Sequence, residues 1–384
     1  MNLSLTGYIQ PQFQVAQQQG AQSYNGGNFA ENTNNRFMLR RARIKVDYVI
    51  PSKKKQQPLA SFTLQIDATE RGVSAKDVFL RVFEPKHGDF SLTPGLFARP
   101  FGFEVNLSSA YRETPERGRM SQILMPSERD LGVMLSFEPA KKPVVKFDLG
   151  MFNGQGLSGT TDFDSYKDLI SRLRINPVEI SKQFYLSGGI SLLAGGWMQA
   201  TKYRYEVLSS NSVQMFVVDS SENNLGAKAP RKYYGADLQI SYRHGWGKTE
   251  LRGEYWRGKQ PGTATSTNNP GTLPLTPTYL RNFDGAFFYL LQNVANEKWE
   301  AVVKYDWYDP NIKVMEADIG VSASNLTAAD IRYSTMTFGV NRYFNDNLKL
   351  LLFYDVVRNE STLLPDYTAD KKDNVLTCRM QIRF

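Results

Sequence analysis

From Leu3 onward the chain alternates between apolar and polar side chains. In LSLTGYIQPQF the odd positions Leu3, Leu5, Gly7, Ile9 and Phe13 are apolar or small. Ser4, Thr6, Gln10 and Gln12 fill the even ones, with Tyr8 among them. In ASFTLQIDAT, Ala60, Phe62, Leu64, Ile66 and Ala68 face away from Ser61, Thr63, Gln65, Asp67 and Thr69. A period of two predicts strands with two different faces. The pattern recurs, cleanly or with interruptions, near 36–50, 76–84, 89–98, 130–138, 143–151, 168–177, 184–194, 231–242, 247–257, 284–292, 298–308, 334–343, 347–358 and 374–384. That predicts about sixteen strands of roughly ten residues, the length that crosses a bilayer when tilted.

The connections alternate in size. PSKKKQQP, EPKHGD, PAKKP, HGWG, ANEK, FNDN and a turn near Val178–Lys182 are short and polar. Between them lie longer segments at 16–34, 99–129, 153–166, 196–229, 259–280, 309–332 and 359–372, with a short one near 70–75. This asymmetry belongs to an all-β transmembrane antiparallel barrel, with periplasmic turns on one side and longer external loops on the other. One barrel domain is expected over 1–384. The last strand ends on an apolar phase, Leu376, Cys378, Met380, Ile382 and Phe384, and several aromatics fall near strand ends, among them Trp246, Trp256, Trp299, Trp307 and Tyr343. Interfacial girdles have that placement.

Charge then decides which face is wet. The polar phase holds Arg41, Arg43, Lys45, Arg172 and Arg174, and also Asp47, Asp67, Asp148, Asp237 and Glu254. Burying such charges in a dry core costs several kcal/mol per ion even when they are paired. The apolar phase therefore faces lipid, and the charged phase lines a water-filled lumen. Arg41/Arg43/Lys45 and Arg172/Arg174 form rows that offer an anion successive sites about 7 Å apart. Cations and acids of this phase balance along the wall as a whole. The stretch RFMLRRARIKVDYVI, at 36–50, puts Ala42, Ile44, Val46, Tyr48 and Ile50 toward lipid. Arg40 shares their phase and is expected above the apolar band, at the rim or a subunit contact.

Segment 99–129 is the expected constriction, a loop folded inward after the fifth strand. It carries Arg99, Arg112, Arg117, Arg119 and Arg129 against Glu104, Glu113, Glu116 and Glu128, and mixed charge at that place would set both size limit and ion preference. Of these, Arg99, Arg117 and Arg119 are the expected pathway cations.

Composition narrows the remaining options. Hydrophobic residues make up 41%, but no run approaches the roughly 18 apolar residues of a membrane helix. Cys378 is the single cysteine, and His87 and His244 are the only histidines, so neither a disulfide nor a Cys/His metal site is expected. The net charge of +8 favours anionic partners, with part of it in the turn clusters Lys53–Lys55 and Lys141–Lys142. An exported protein needs a signal peptide, and none precedes Asn2, so an outer-membrane location requires that it has been removed.

Four stretches carry a family resemblance. They are RFMLRRARIKVDY, PGLFARPFGFE with SSAYRETPERGRM, SERDLGVMLSFEP, and NLTAADIRYSTMTFGVNRYFNDNLKLLLFYDVV followed by a strand ending in Phe384. Together the sequence resembles the phosphate-selective porin O and P family in the form found in Bacteroidetes-type bacteria. The resemblance implies a sixteen-stranded outer-membrane porin, usually trimeric, passing phosphate or other small anions along lumenal arginines. Arg40, Arg41 and Arg43 match the Arg-rich second strand of the family, and Arg99 falls where a basic residue often stands near the constriction. The expected partners are outer-membrane lipid or lipopolysaccharide, small anions, and a homotrimer of this chain, without nucleic acid and without a cofactor. No catalytic residues are expected: both histidines fall in predicted periplasmic turns, and G-x-S-x-G does not occur. The alternative is a barrel that serves mainly as a structural or binding partner, with an occluded pore.

Overall fold

The computed structural model of the protein describes residues 2–52, 58–159, 161–210 and 213–384. The Lys53–Lys55 cluster lies outside the described residues. Nine strands come first: β1 (Leu3–Ala16), β2 (Asn35–Pro51), β3 (Pro58–Thr69), β4 (Gly72–Phe83), β5 (Phe90–Ala98), β6 (Arg129–Phe137), β7 (Val145–Phe152), β8 (Asp168–Ser181) and β9 (Phe184–Met198). A hairpin follows, β10 (Arg204–Ser210) and β11 (Val213–Asp219). Seven more strands complete the chain: β12 (Lys228–His244), β13 (Gly247–Gly262), β14 (Thr278–Val294), β15 (Asn296–Asp309), β16 (Tyr333–Tyr343), β17 (Leu348–Asn359) and β18 (Val375–Arg383).

Strands β1 to β9 and β12 to β18 pair antiparallel with their neighbours and close, β18 against β1, into a sixteen-stranded barrel. Every predicted strand is one of these. At the seam Gly7 and Phe384 exchange backbone hydrogen bonds of 3.0 Å in both directions. A Cβ on Gly7 would sit 2.5 Å from the Phe384 ring and 2.6 Å from the Arg43 carbonyl, so only glycine lets the terminal aromatic pack there.

The faces follow the alternation. Outward leucines stay open, for example Leu131 (54%), Leu251 (50%) and Leu352 (51%), while their inward neighbours Asp130, Arg252 and Leu351 are buried. An apolar belt this continuous is far larger than the patches soluble monomers expose, and lipid is the medium that makes it favourable. The inward phase is not wet throughout, however. Near the external ends of β5–β9 and β12–β15 it turns apolar, with Phe97, Met134, Phe152, Ile170, Leu193, Tyr233, Trp256, Phe283 and Tyr308 forming a core. What they pack against is the segment between β5 and β6, through Phe101, Val105 and the short helix α1 (Arg119–Leu124) with Met120, Ile123 and Leu124. Part of the lumen is therefore a dry core and not water, because the inserted segment brings its own apolar face.

The β10–β11 hairpin was not expected within 196–229. It lies against the start of β14, with Arg204–Glu206 paired in parallel to Thr278–Leu280, and Val207 and Phe216 bury against Tyr279, Ile319 and Ile331.

Candidate functional site

The segment linking β5 to β6 is pinned inside the barrel by two carboxylates. Glu254 on β13 accepts the backbone N–H of Phe103 (3.0 Å) and of Glu104 (2.9 Å). Gly102, with φ of +66°, makes that approach possible, since a Cβ there would collide with the Glu254 carboxylate. Glu104 in turn accepts from the Gly118 N–H (3.1 Å), the Ser121 hydroxyl (2.6 Å) and the Tyr289 hydroxyl (2.8 Å). Burial raises the Glu104 carboxyl, but Lys304 and the Ser121 hydrogen bond outweigh it and hold it below the usual range. Charge-assisted bonds in a low-dielectric interior are the stronger kind, so residues 102–121 form a rigid insert.

The tip of this insert places Glu116 among arginines from three parts of the chain. Arg40 bonds it through Nε (2.8 Å) and Nη2 (3.1 Å), Arg41 through Nη2 (2.6 Å) and Nη1 (3.1 Å), and Arg379 of β18 through Nη2 (2.8 Å). Arg112 comes within 3.8 Å. Four guanidinium charges thus meet one carboxylate and leave three in excess. Burial raises the Glu116 carboxyl, yet Arg40, Arg41 and Arg379 pull it well below the usual carboxylate range. Arg112 is the least satisfied member. It is 2% exposed, and none of its three side-chain nitrogens has a hydrogen-bond partner. Burial and then the Arg41 charge disfavour its own positive charge. A buried unpartnered donor costs about 1–3 kcal/mol, more when charged.

Cavities lead to this cluster from both sides. An external vestibule of about 590 Å³ is lined by Gln22–Tyr24, Arg119, Thr265–Asn268, Tyr308, Tyr333 and Asp373. It shares Gln22–Tyr24 and Arg119 with a chamber of about 30 Å³, walled by Thr114–Arg117, Lys304, Asp306, Thr335, Thr337 and Asp355. That chamber has room for about one water. On the periplasmic side Ala110, Tyr111, Tyr343, Lys349 and Arg383 line a cavity of about 160 Å³. Segment 110–117 runs between the two, and Lys349 Nζ donates to the Arg112 carbonyl at 2.7 Å.

The expected site residues separate into groups. Arg41 sits in the cluster, and Arg119 lines both vestibule and chamber, held over Tyr333 (3.6 Å) and Tyr24 (4.5 Å). Arg43 is tied to Asp67 (3.0 Å) and Lys45 to Asp47 (2.8 Å), so the row of three is mostly self-neutralised. Arg172 is paired with Asp237 (2.8 Å) and donates to Ser191, whose hydroxyl also accepts from the insert backbone at Gly102. Arg174, on the same strand, pairs by backbone register with Lys146 and lines none of these three cavities. Arg99 and Arg117 differ from expectation. Arg99 is fully buried and bonds the Pro126 and Glu128 carbonyls, closing the neck of the insert. Arg117 donates to the carbonyls of Glu104 (2.8 Å), Val105 (3.2 Å) and Leu107 (3.0 Å), and pairs with Glu128. Both hold backbone carbonyls of the insert, Arg117 from within the chamber wall.

Arg40 also corrects the reading from periodicity. The β1–β2 register slips between Gln10 (opposite Arg41) and Pro11 (opposite Leu39), which leaves Arg40 as the extra residue of a bulge. Proline cannot donate to the ladder and is found at such irregularities. The bulge turns Arg40 inward to Glu116, away from rim or subunit contact. Arg112, Arg379, Glu116 and Lys349 were not singled out from sequence. Arg379 falls between Cys378 and Met380 of the apolar phase and so faces inward, but nothing local marks Arg112 or Glu116 among the other charges of 99–129.

Residues 275–384 match the family described as phosphate-selective porin O and P. No curated protein matches the chain by sequence. Solved structures share its shape along nearly its whole length. OprB of Pseudomonas putida superposes with a TM-score of 0.65 at 9% identity, covering 100% of this chain and 94% of the other. The outer-membrane channel DcaP of Acinetobacter baumannii gives 0.59 at 10% identity, with 100% and 97% covered. An anion-selective porin from Comamonas acidovorans gives 0.57 at 10%, with 99% and 98% covered. At such identities the likeness is one of fold.

Proposed function

We propose that this chain, an outer-membrane porin barrel with the phosphate-selective porin O and P signature over residues 275–384, passes small hydrophilic solutes and prefers anions at the Glu116 cluster. The observation that carries the preference is the excess of guanidinium charge there, with Arg112 buried and without a hydrogen-bond partner between the chamber and the periplasmic cavity. An anion entering the insert gains donors that the protein itself leaves unused. The balanced charge of the remaining wall keeps it from binding strongly elsewhere, and release requires that weakness. Phosphate fits this set of donors because arginine forks match its oxygens, and it is the first solute to test. The family resemblance makes a homotrimer the assembly to expect, with outer-leaflet lipid around it.

Reversal potential across a planar bilayer under a KCl gradient tests the reading, repeated with phosphate replacing chloride. The expected potential has the sign set by the anion gradient. A cation-signed potential removes the anion preference, and absence of ionic current removes the channel. A second reading, an occluded barrel that holds a partner, draws on the 30 Å³ chamber. It requires zero conductance in wild type together with conductance when the insert tip is shortened.

A further inference from the structure

The outer surface carries a second cationic feature, remote from the lumen. On β12 and β13 the outward phase runs Lys232, Tyr234, Ala236, Leu238, Ile240 and, across from it, Lys259, Arg257, Tyr255, Gly253, Leu251. Lys232 lies directly opposite Lys259, and Tyr234 opposite Arg257. Like charges facing each other across a strand pair are destabilising. The loop after β15 adds another: the Ile312 N–H donates to the Asn282 carbonyl (2.8 Å), and this holds Lys313 over the same groove. The four cations surround a cavity of about 520 Å³. Two carboxylates stand nearby. Glu206 is 4.0 Å from Lys259, and Asp284 accepts from the Trp307 indole and the Tyr255 hydroxyl. Lys232, Arg257 and Lys313 have no ion pair among the described residues.

Height on the barrel gives the cluster its meaning. Tyr234 and Tyr255 sit just below it, where a girdle marks the bilayer interface. Under them a second groove of about 450 Å³ is lined by Ala236, Leu238, Ile240, Leu251, Gly253 and Phe288. Gly253 opens it, for its missing side chain leaves room beside the Phe288 ring. We propose that this seam is a binding site for a phosphorylated, acylated lipid of the outer leaflet, with the phosphate among Lys232, Arg257, Lys259 and Lys313 and a chain in the groove below. Charge complementarity selects the headgroup and the apolar floor selects an acylated ligand over a free anion. The inference rests on the barrel lying in the outer membrane and not on what passes through it.

The test is binding of monophosphorylated lipid A, and of its dephosphorylated form, to the delipidated detergent-solubilised protein, read by native mass spectrometry. The phosphorylated form is expected to bind at least tenfold more tightly, and 10 mM inorganic phosphate is expected not to displace it. Lys232→Gln/Arg257→Gln/Lys259→Gln/Lys313→Gln should erase that tenfold preference. Gly253→Phe should weaken both forms by filling the lower groove. Lys141→Gln/Lys142→Gln/Lys182→Gln/Lys298→Gln, which removes the same charge from periplasmic turns, should change nothing. All side chains altered in the cationic groove point outward, and heat-modifiable migration verifies that each barrel is folded; Lys313→Gln alone, on a loop, gives the same direction with a smaller loss. Equal affinity for both lipid forms, displacement by inorganic phosphate, or equal loss in the periplasmic control overturns the proposal.

Discussion

Two arginines five positions apart in one insert do opposite work. Arg117 spends its donors on the carbonyls of Glu104, Val105 and Leu107, whereas Arg112 bonds nothing. Arg117→Gln is therefore expected to loosen the insert. Losing hydrogen bonds from a charged donor to buried carbonyls costs about 2–4 kcal/mol, and limited proteolysis within 102–121 should quicken. Arg112→Gln should leave proteolysis unchanged and act on ions instead. Removing a unit charge beside the path is worth about 1 kcal/mol at a high effective dielectric, and tenfold corresponds to about 1.4 kcal/mol. The chloride-to-potassium permeability ratio is expected to fall roughly threefold to tenfold, measured by reversal potential. An unchanged ratio would remove Arg112 from the pathway.

Strands were legible because lipid imposes apolar character on every second position, so each of the sixteen shows in the sequence by itself. The departures have local physical causes. Pro11 interrupts the β1–β2 ladder and flips Arg40 inward, a signal present in the sequence but invisible to a count of alternate residues. The β10–β11 hairpin hides in a Ser- and Asn-rich loop because its alternation is broken: Leu208 and Val218 are apolar yet exposed, so the two faces do not separate by polarity. The partners of Glu116 were not legible, since Arg40 and Arg379 lie 76 and 263 residues away and only barrel closure joins them. The external segment between β1 and β2 shares in the narrowing, for Gln22–Asn25 line the chamber beside the insert. Replacing Gln22–Asn25 by two glycines removes no charge. It should raise single-channel conductance while leaving the permeability ratio within error; a lowered conductance would mean that this tip does not narrow the path.

Across the whole molecule the charges near the pore axis respond differently to acid, and pH can separate their roles. Glu116 is held well below the carboxylate range by Arg40, Arg41 and Arg379 despite its burial, so it remains ionised at pH 5 and the insert keeps its anchor. Asp373 in the vestibule behaves in the opposite way. Burial pushes its carboxyl up to about 6, with Arg119 pulling down and Asp370 pushing up. As pH falls through 6 the Asp373 carboxylate takes a proton, and the Arg119 charge at the mouth of the chamber is no longer offset. A vestibule that gains positive potential concentrates anions and repels cations. Anion preference should therefore be greater at pH 5 than at pH 7.5, with conductance retained because the Glu116 cluster does not titrate in that window. Asp373→Asn should show part of the low-pH preference at both values and a smaller pH dependence, since Asp355 in the chamber wall is a second carboxylate beside the path. Reversal potentials at the two pH values for wild type and variant decide it: a preference that rises with pH, or one that shifts as far in Asp373→Asn as in wild type, would place the titrating group elsewhere.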